Sequence, residues 1–267
     1  MNNQQYLFSH PLEATVLDEM LKAINFKEQL RENYILFEEK KRRPDLLGKT
    51  VKVTANQFPE IYQIAKNIEG KTQLNIPDLF VYEDFYYGME SKGIEKPWIE
   101  ISASLLRDFS ENEIEFMLAR EMYQIQYKHT YYRILLEQSL QLLGKGYLPF
   151  SEGIAEDAAK VIYYRWSRIS NYSADCFGYI VCMDIEASIK AILKCVLNSV
   201  ILAENMNLLE YIKQGEAING LHDEVYEATK SDEQFPYGPF RIKNLLAYST
   251  SEKALLAKEE IKKEDKQ

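Results

Sequence analysis

The polar residues most able to do chemistry fall in two short segments, each with a spacing of four residues. In the first segment Arg120 and Gln124 flank Glu121, and in the second Asn171 precedes Asp175. Residues four apart lie about 40° from each other on an α-helix, so each pair shares a helix face. The amide oxygens of Gln124 and Asn171 are weak zinc ligands, since zinc prefers imidazole, thiolate or carboxylate. Arg120 stays protonated and has no lone pair, so it cannot bind a metal.

The first segment resembles the zinc helix of metallopeptidase family forty-eight, the group that contains the CAAX prenyl protease and the HtpX-like heat-shock proteases. Where that family has H-E-x-x-H, this sequence reads Arg120-Glu121-Met122-Tyr123-Gln124. The second segment, Arg168 to Asp175, is similar to the family's R-x-x-E-x-x-A-D. In that block Asn171 stands in place of the glutamate that supplies the third zinc ligand.

Two further stretches are similar to the same family. Ile99 to Leu106 resembles the edge strand and the stretch that precedes the zinc helix. Phe235 to Leu245 is similar to a later H-P and R-I-x-x-L segment, with Phe235 where the histidine would stand and Arg241 at the arginine. The similarity therefore covers roughly residues 78 to 249, and several blocks in the family's order are more specific than one alone.

The resemblance implies a zincin-like, gluzincin-type fold in which the three zinc ligands have been replaced. Arg120, Gln124 and Asn171 occupy the ligand positions, and none of them suits zinc. Glu121 corresponds to the family's general base, and Asp175 to the aspartate that orients a ligand histidine by a hydrogen bond. Without the metal, Glu121 is a vestigial catalytic residue with no acidified water to deprotonate. We therefore expect no metal and no cofactor.

A buried arginine at a former ligand position needs a negative partner. We expect the Arg120 guanidinium to lie in the former metal region and to pair with Asp175 or Glu121, one buried cation replacing another. His129 lies nine residues after Arg120, about 180° around the helix, and cannot join the same site. The spacing predicts that His129 caps the helix or lies on the surface.

The apolar spacing predicts a mainly α-helical chain with a small β-sheet. Ser110 and Glu113 form a capping-box pattern, which predicts the start of the helix that carries Arg120. Helices are predicted from Leu12 to Ile24, Phe26 to Arg43, Phe58 to Ile68, Ser110 to His129, Tyr131 to Leu143, Ile154 to Tyr164, Ser167 to Met183, Ile185 to Leu197, Leu208 to Lys213 and Arg241 to Tyr248, and strands at Thr50 to Thr54, Asp78 to Tyr82 and Trp98 to Ala103. We expect one peptidase-like domain at 1–257, with a helical and β part at about 1–109 and a helical body at about 110–257. The charged tail, 258–267, is expected to be an exposed helix end or disordered.

Composition excludes several classes of function. The 267 residues carry 32 Lys and Arg against 41 Asp and Glu, a net charge of -9 that opposes binding to nucleic acid. The apolar runs fall short of the roughly 20 residues of a membrane span, and no leader pattern is evident. The 3 cysteines, Cys176, Cys182 and Cys195, form no C-x-x-C pair, which favours reduced, buried thiols. A cytoplasmic protein is expected.

Three functions are compatible with the sequence. The first is a catalytically inactive metallopeptidase-like protein that binds an unidentified peptide or protein by strand addition beside Trp98 to Ala103. The second is an active metal-dependent peptidase with a rearranged zinc site built from Glu121, Asp175, Gln124 and Asn171. The third is a structural helical interaction protein, monomeric or oligomeric.

Overall fold

The structure is a computed structural model that describes residues 3–23, 31–32, 34–143, 156–219 and 236–264. Its strands are β1 (Val51–Lys52), β2 (Asp78–Tyr82), β3 (Met89–Lys92) and β4 (Trp98–Ser102). Its α-helices are α1 (Asn3–Phe8), α2 (Glu13–Ala23), α3 (Lys40–Lys49), α4 (Pro59–Thr72), α5 (Ala103–Asp108), α6 (Glu111–Gln126), α7 (His129–Leu143), α8 (Glu156–Cys182), α9 (Ile185–Leu197), α10 (Val200–Asn205), α11 (Leu208–Asn219), α12 (Gly238–Ser249) and α13 (Glu252–Glu264). The expectation of a mainly helical protein with a small sheet is confirmed.

The four strands form one mixed sheet in the order β1-β2-β4-β3. Strand β4 runs parallel to β2 and antiparallel to β3, so Trp98–Ser102 is paired on both sides. The prediction that this strand is the sheet edge is therefore wrong. Among the described strands the edge next to β4 is β3, a four-residue strand that sequence periodicity did not reveal. Its two buried positions are Met89 and Ser91, and because one of them is polar the sequence shows no alternation of apolar residues.

Helix α6 begins as the capping box predicts. The Ser110 hydroxyl accepts from the Glu113 backbone N–H at 3.4 Å, and the Glu113 carboxylate accepts from the Ser110 N–H at 2.6 Å. The helix ends at Gln126 rather than near His129, because Lys128 adopts a positive φ of 62° and turns the chain. His129 then begins helix α7, where only 1% of it is exposed, which overturns the surface prediction.

Helix α8 is one continuous 27-residue helix, where the sequence predicted two. Residues 154 and 155 of the first predicted helix lie outside the described ranges. No break forms near residue 166 because Tyr163 and Trp166 are both buried and extend the apolar face toward Ala174. Because α8 is continuous, one helix carries both Tyr163 and Trp166, which pack against α2 and α7, and the polar residues Asn171 and Asp175.

Other boundaries differ from the predicted ones. The predicted helix Phe26 to Arg43 lies partly outside the described residues, and its described part contains a π-helical segment, Tyr34–Glu39, followed by α3. Helix α13 continues to Glu264 and buries Ile261 in the core. The described part of the charged tail, residues 258–264, is therefore helical and partly buried. Among the described helices, none is long and apolar enough to cross a membrane.

The packing of α6 against α8 depends on Gly178. A Cβ at this position would lie 2.7 Å from the Phe116 carbonyl oxygen and 2.8 Å from Arg120 Cγ. Both distances are shorter than real Cβ contacts, so glycine permits an approach that no other residue allows. Because Gly178 lies in α8 near Asp175, this approach brings the polar residues of the two helices within hydrogen-bond reach.

Replacement of Gly178 by alanine tests this packing. We expect Gly178→Ala to lower the free energy of unfolding by about 1–3 kcal/mol, because the new methyl group overpacks the helix contact. Gly70→Ala is the matched control, since Gly70 lies in α4 with nothing within 4 Å. The control is expected to raise stability by about 0.4–1 kcal/mol. Urea denaturation followed by circular dichroism measures both, and equal effects would contradict the close helix contact.

Candidate active site

Arg120 and Asp175 form a buried ion pair between α6 and α8. Arg120 Nε donates to Asp175 Oδ1 at 2.5 Å, and Nη2 donates to Asn171 Oδ1 at 3.1 Å. The two charged side chains are 6% and 0% exposed, so neither charge is solvated by bulk water. The predicted pairing of Arg120 with Asp175 is confirmed. The Glu121 carboxylate lies 3.7 Å from Arg120 Nη1, beyond hydrogen-bond distance.

A second guanidinium completes the coordination of Asp175. Arg241, from helix α12, donates from Nε to Oδ2 at 2.9 Å and from Nη2 to Oδ1 at 2.7 Å. This is the two-pronged geometry in which arginine binds a carboxylate most strongly. Sequence reasoning placed Arg241 in a family block but assigned it no role. One carboxylate thus joins three helices that lie far apart in the chain.

The two arginines determine the ionisation of Asp175. Burial by itself would raise the pKa of this carboxyl group, since it disfavours the charged form. The positive charges of Arg241 and Arg120, with their hydrogen bonds, outweigh burial and hold the pKa of Asp175 below its ordinary value. Asp175 is therefore a carboxylate at neutral pH, as the two cations require.

Glu121, the next residue along α6, binds the sheet. Its Oε2 accepts from both the backbone N–H and the hydroxyl of Ser91 at 2.8 Å, and its Oε1 accepts from Gln124 Nε2 at 2.9 Å. The Ser91 hydroxyl also lies 2.7 Å from the Thr130 hydroxyl. Three donors thus bind the Glu121 carboxylate, which is 5% exposed. The two donors from Ser91 connect helix α6 to strand β3.

The outer side of β3 is closed at Ser91. The Ser91 N–H donates to Glu121, and the Ser91 C=O accepts from Arg133 Nη2. Both main-chain groups of Ser91 are therefore already hydrogen-bonded within the chain. Arg133 also donates from Nη1 to the Glu90 carboxylate. A strand added to this edge would have to displace the contacts of Glu121 and Arg133 at Ser91.

These residues surround a cavity of about 290 Å³. Strand β3 and the residues before it form one wall, and helices α6, α7, α8 and α9 with Arg241 form the others. Four of the five residues singled out from the sequence, Arg120, Glu121, Gln124 and Asn171, line the cavity, while Asp175 lies behind Arg120. The residues singled out by the resemblance therefore lie in one cluster. The volume is near the lower end of the range of small-molecule sites, about 300–1,000 Å³.

His129 lines the same cavity, contrary to the sequence prediction. The turn after α6 returns it to the site, and its Nε2 lies 2.8 Å from Glu13 Oε1. Glu13 Oε2 accepts from the Ser173 hydroxyl, so this second polar cluster ties α2 to α8. Sequence periodicity could not find this contact, because it depends on the positive φ of Lys128.

The residues present do not fit a zinc ion. Among the described residues no group of three or more His, Cys, Asp or Glu side chains is placed to hold a metal. Arg120 is a hydrogen-bond donor at one ligand position, and Asn171 accepts one of its bonds. Cys195 lines the cavity, but burial raises the pKa of its thiol. Among the described residues the cavity therefore lacks the ligand set of a zinc site, and the raised pKa disfavours a thiolate at Cys195.

Substitution of Asp175 tests the buried ion network. We expect Asp175→Asn to lower the free energy of unfolding at pH 7 by about 3–5 kcal/mol, because two buried guanidinium groups lose their counter-ion. The control is Asp45→Asn, where Asp45 pairs with Lys49 at the surface and is 69% exposed. That change is expected to alter stability by less than about 1 kcal/mol. Urea denaturation of both variants measures the difference.

The lowered pKa of Asp175 also predicts a dependence of stability on pH. Aspartate in an unfolded chain has a pKa of about 3.9. Because the folded-state pKa is lower, the contribution of Asp175 is fully present above that value and is lost as pH falls through the folded-state pKa. The stability difference between wild type and Asp175→Asn should therefore narrow below about pH 4. A difference that stays constant from pH 7 to pH 3 would contradict the assignment.

The chain was compared with models of protein families, with curated proteins and with solved structures. Comparison with all three finds no match. The resemblance to metallopeptidase family forty-eight therefore stays a prediction from the sequence blocks. A function for this chain has to be inferred from the residues and contacts of the site.

Proposed function

We propose that this chain is a metallopeptidase-like protein that has lost its zinc site and acts by binding a peptide or protein segment. The observation that carries the proposal is the Arg120 guanidinium, held by Asp175 and Asn171 at 2.5 and 3.1 Å. The sequence resemblance places zinc ligands at Arg120 and Asn171. In this proposal the Arg120 guanidinium takes the place of the zinc ion as the positive charge of the site. A guanidinium cannot bind and polarise a substrate or acidify a water molecule as a metal ion does.

The contacts of Glu121 support a binding role over hydrolysis. A general base must reach a proton on the attacking water. The carboxylate of Glu121 instead accepts three hydrogen bonds, from the Ser91 N–H, the Ser91 hydroxyl and the Gln124 amide. These bonds give Glu121 a structural role that does not depend on catalysis, and they favour the inactive protein over a peptidase with a rearranged site.

The closed edge of β3 changes where a peptide would bind. Strand addition at Trp98–Ser102 is excluded by its two neighbouring strands, and addition at β3 meets Glu121 and Arg133 at Ser91. The cavity beside β3, whose wall includes Arg120, Glu121 and Gln124, remains as the concave surface of this site. We therefore place the ligand in the cavity, with a fold of zincin-like type as its framework.

Metal analysis tests the proposal directly. Tag-free protein, purified without chelator and again after incubation with zinc, is expected to contain no stoichiometric metal by inductively coupled plasma mass spectrometry. It is also expected to cleave no peptide in the presence of zinc. Near-stoichiometric metal that disappears in Glu121→Gln, together with peptide cleavage, would overturn the proposal and establish the peptidase instead.

Restoration of the ligands tests the resemblance itself. The variant Arg120→His, Gln124→His, Asn171→Glu has the three ligand types of the family's zinc site, and we expect it to bind about one zinc ion per chain. The matched control is Arg120→His, Gln124→His, which lacks the third ligand and should bind zinc more weakly. Equal zinc binding by the folded triple and double variants would count against a zincin-like arrangement of these positions.

A further inference from the structure

Helix α3 begins with four consecutive cations, Lys40-Lys41-Arg42-Arg43. All four side chains are exposed. From residue 40 to residue 52 the sequence has six cations and one acid, Asp45, whereas the whole chain has a net charge of -9. Helix α3 therefore forms a basic surface on an acidic protein.

The positive charges of α3 are poorly compensated within the molecule. Asp45 pairs with Lys49 at 3.0 Å. Lys40, Lys41 and Arg43 form no ion pair with any described residue. Lys40 and Arg43 are three residues apart on the helix, where like charges repel each other. A negative surface outside the molecule would relieve this repulsion.

Helix α3 also lacks the packing that usually stabilises a helix. None of its ten residues is buried. A helix of this length is marginal in water, and most helices in proteins are stabilised by the burial of an apolar face. Aliphatic side chains of the same segment are exposed instead, namely Leu36 at 53%, Leu47 at 60% and Val51 at 44%. These side chains are available to a surface that is partly apolar.

Basic and aliphatic side chains share one face of α3. Lys40, Arg43 and Leu47 recur at intervals of three and four residues, which places them on the same side of the helix. Leu36 precedes Lys40 by four residues, in the π-helical segment that leads into α3. A surface that contacts this face therefore meets positive charge and aliphatic groups together.

The rest of the fold holds α3 at both ends. At its start, Glu39 Oε2 accepts from the Ile94 backbone N–H at 3.0 Å. At its end, Val51 and Lys52 form strand β1, which pairs with β2. The helix is thus positioned before any partner arrives, and this pre-organisation lowers the cost of binding.

We propose that α3 binds the surface of an anionic phospholipid membrane, lying on it and not crossing it. Lys40, Lys41 and Arg43 contact the negative headgroups, to which clusters of basic side chains are attracted. Leu47 enters the boundary between headgroups and acyl chains. Nucleic acid and acidic peptides offer negative charge without an acyl region. The acidic remainder of the protein is repelled only where it comes within about 8 Å of the membrane at physiological salt.

Co-sedimentation with vesicles tests the proposal. Full-length protein is mixed with vesicles of pure phosphatidylcholine and with vesicles in which about 30% of the lipid is phosphatidylserine. We expect binding to the anionic vesicles alone, and loss of that binding at about 0.5 M salt, because salt screens the charge of the headgroups. Equal binding to both kinds of vesicle, or no binding to either, would overturn the proposal.

Neutralisation of the basic residues locates the contact. We expect the variant Lys40→Gln, Lys41→Gln, Arg43→Gln to bind anionic vesicles at least about tenfold more weakly. The matched control removes three other surface charges, at Lys22, Lys190 and Lys213, which are 75%, 42% and 64% exposed. The control should bind nearly as wild type does. Equal losses in the two variants would contradict a site on α3.

Substitution of Leu47 tests the apolar part of the contact. We expect Leu47→Ser to weaken vesicle binding at least about threefold, because the leucine leaves water when it enters the membrane boundary. Leu209→Ser is the control, since Leu209 lies on α11 and is 70% exposed. Unchanged binding in Leu47→Ser would overturn the membrane as the partner.

Two soluble polyanions distinguish a membrane from other negative partners. We expect neither polyglutamate nor a short DNA duplex, at equal concentrations of charge, to displace the protein from anionic vesicles. Displacement by polyglutamate would indicate an acidic protein segment, displacement by the duplex would indicate nucleic acid, and either result would overturn the membrane. These outcomes leave the proposed function to be decided by the metal analysis, since α3 contributes no residue to the cavity.

Discussion

The buried carboxylate of Asp175 is the interaction on which the rest of the site depends. Asp175 is fully buried and binds guanidinium groups from α6 and α12, so one anion connects three helices. A carboxylate in this position would be costly without its cations, and either arginine would be costly without the carboxylate. Gly178 makes the network possible, because any larger residue would separate the two central helices. Packing and electrostatics thus impose the same helix arrangement.

Glu121 connects helix α6 to the sheet. It follows Arg120 on α6 and bonds to Ser91 on β3, while Arg133 from α7 bonds to the other main-chain group of Ser91. Exposed strand edges invite pairing with other chains, and proteins commonly protect them with charged side chains. The same contacts therefore stabilise the wall of the cavity and restrict strand addition. In the proposed function, the ligand therefore contacts side chains inside the cavity.

The charged side chains of the site are held in fixed positions by hydrogen bonds and ion pairs. Its carboxylates accept hydrogen bonds from neighbouring side chains and main-chain groups, burial raises the pKa of the Cys195 thiol, and its central cation is an arginine. Metal-dependent hydrolysis needs an ion with an open coordination position. Ion pairs with Glu90 and Asp175 hold the donors of Arg133 and Arg241 in fixed directions. This fixed geometry supports the proposed binding function.

The sequence by itself determined the helical class and the capping box at Ser110, because helix periodicity and capping are local properties. The pairing of Arg120 with Asp175 was expected from the family resemblance and from the need of a buried arginine for a negative partner. The sequence did not reveal strand β3, the paired position of Trp98–Ser102 or the continuity of α8, since these depend on contacts between distant residues. Only the tertiary structure placed Arg241 on Asp175, Ser91 on Glu121 and His129 in the cavity wall. These placements depend on helix packing, on the strand order and on the turn at Lys128, and none of these features leaves a periodic signal along the chain.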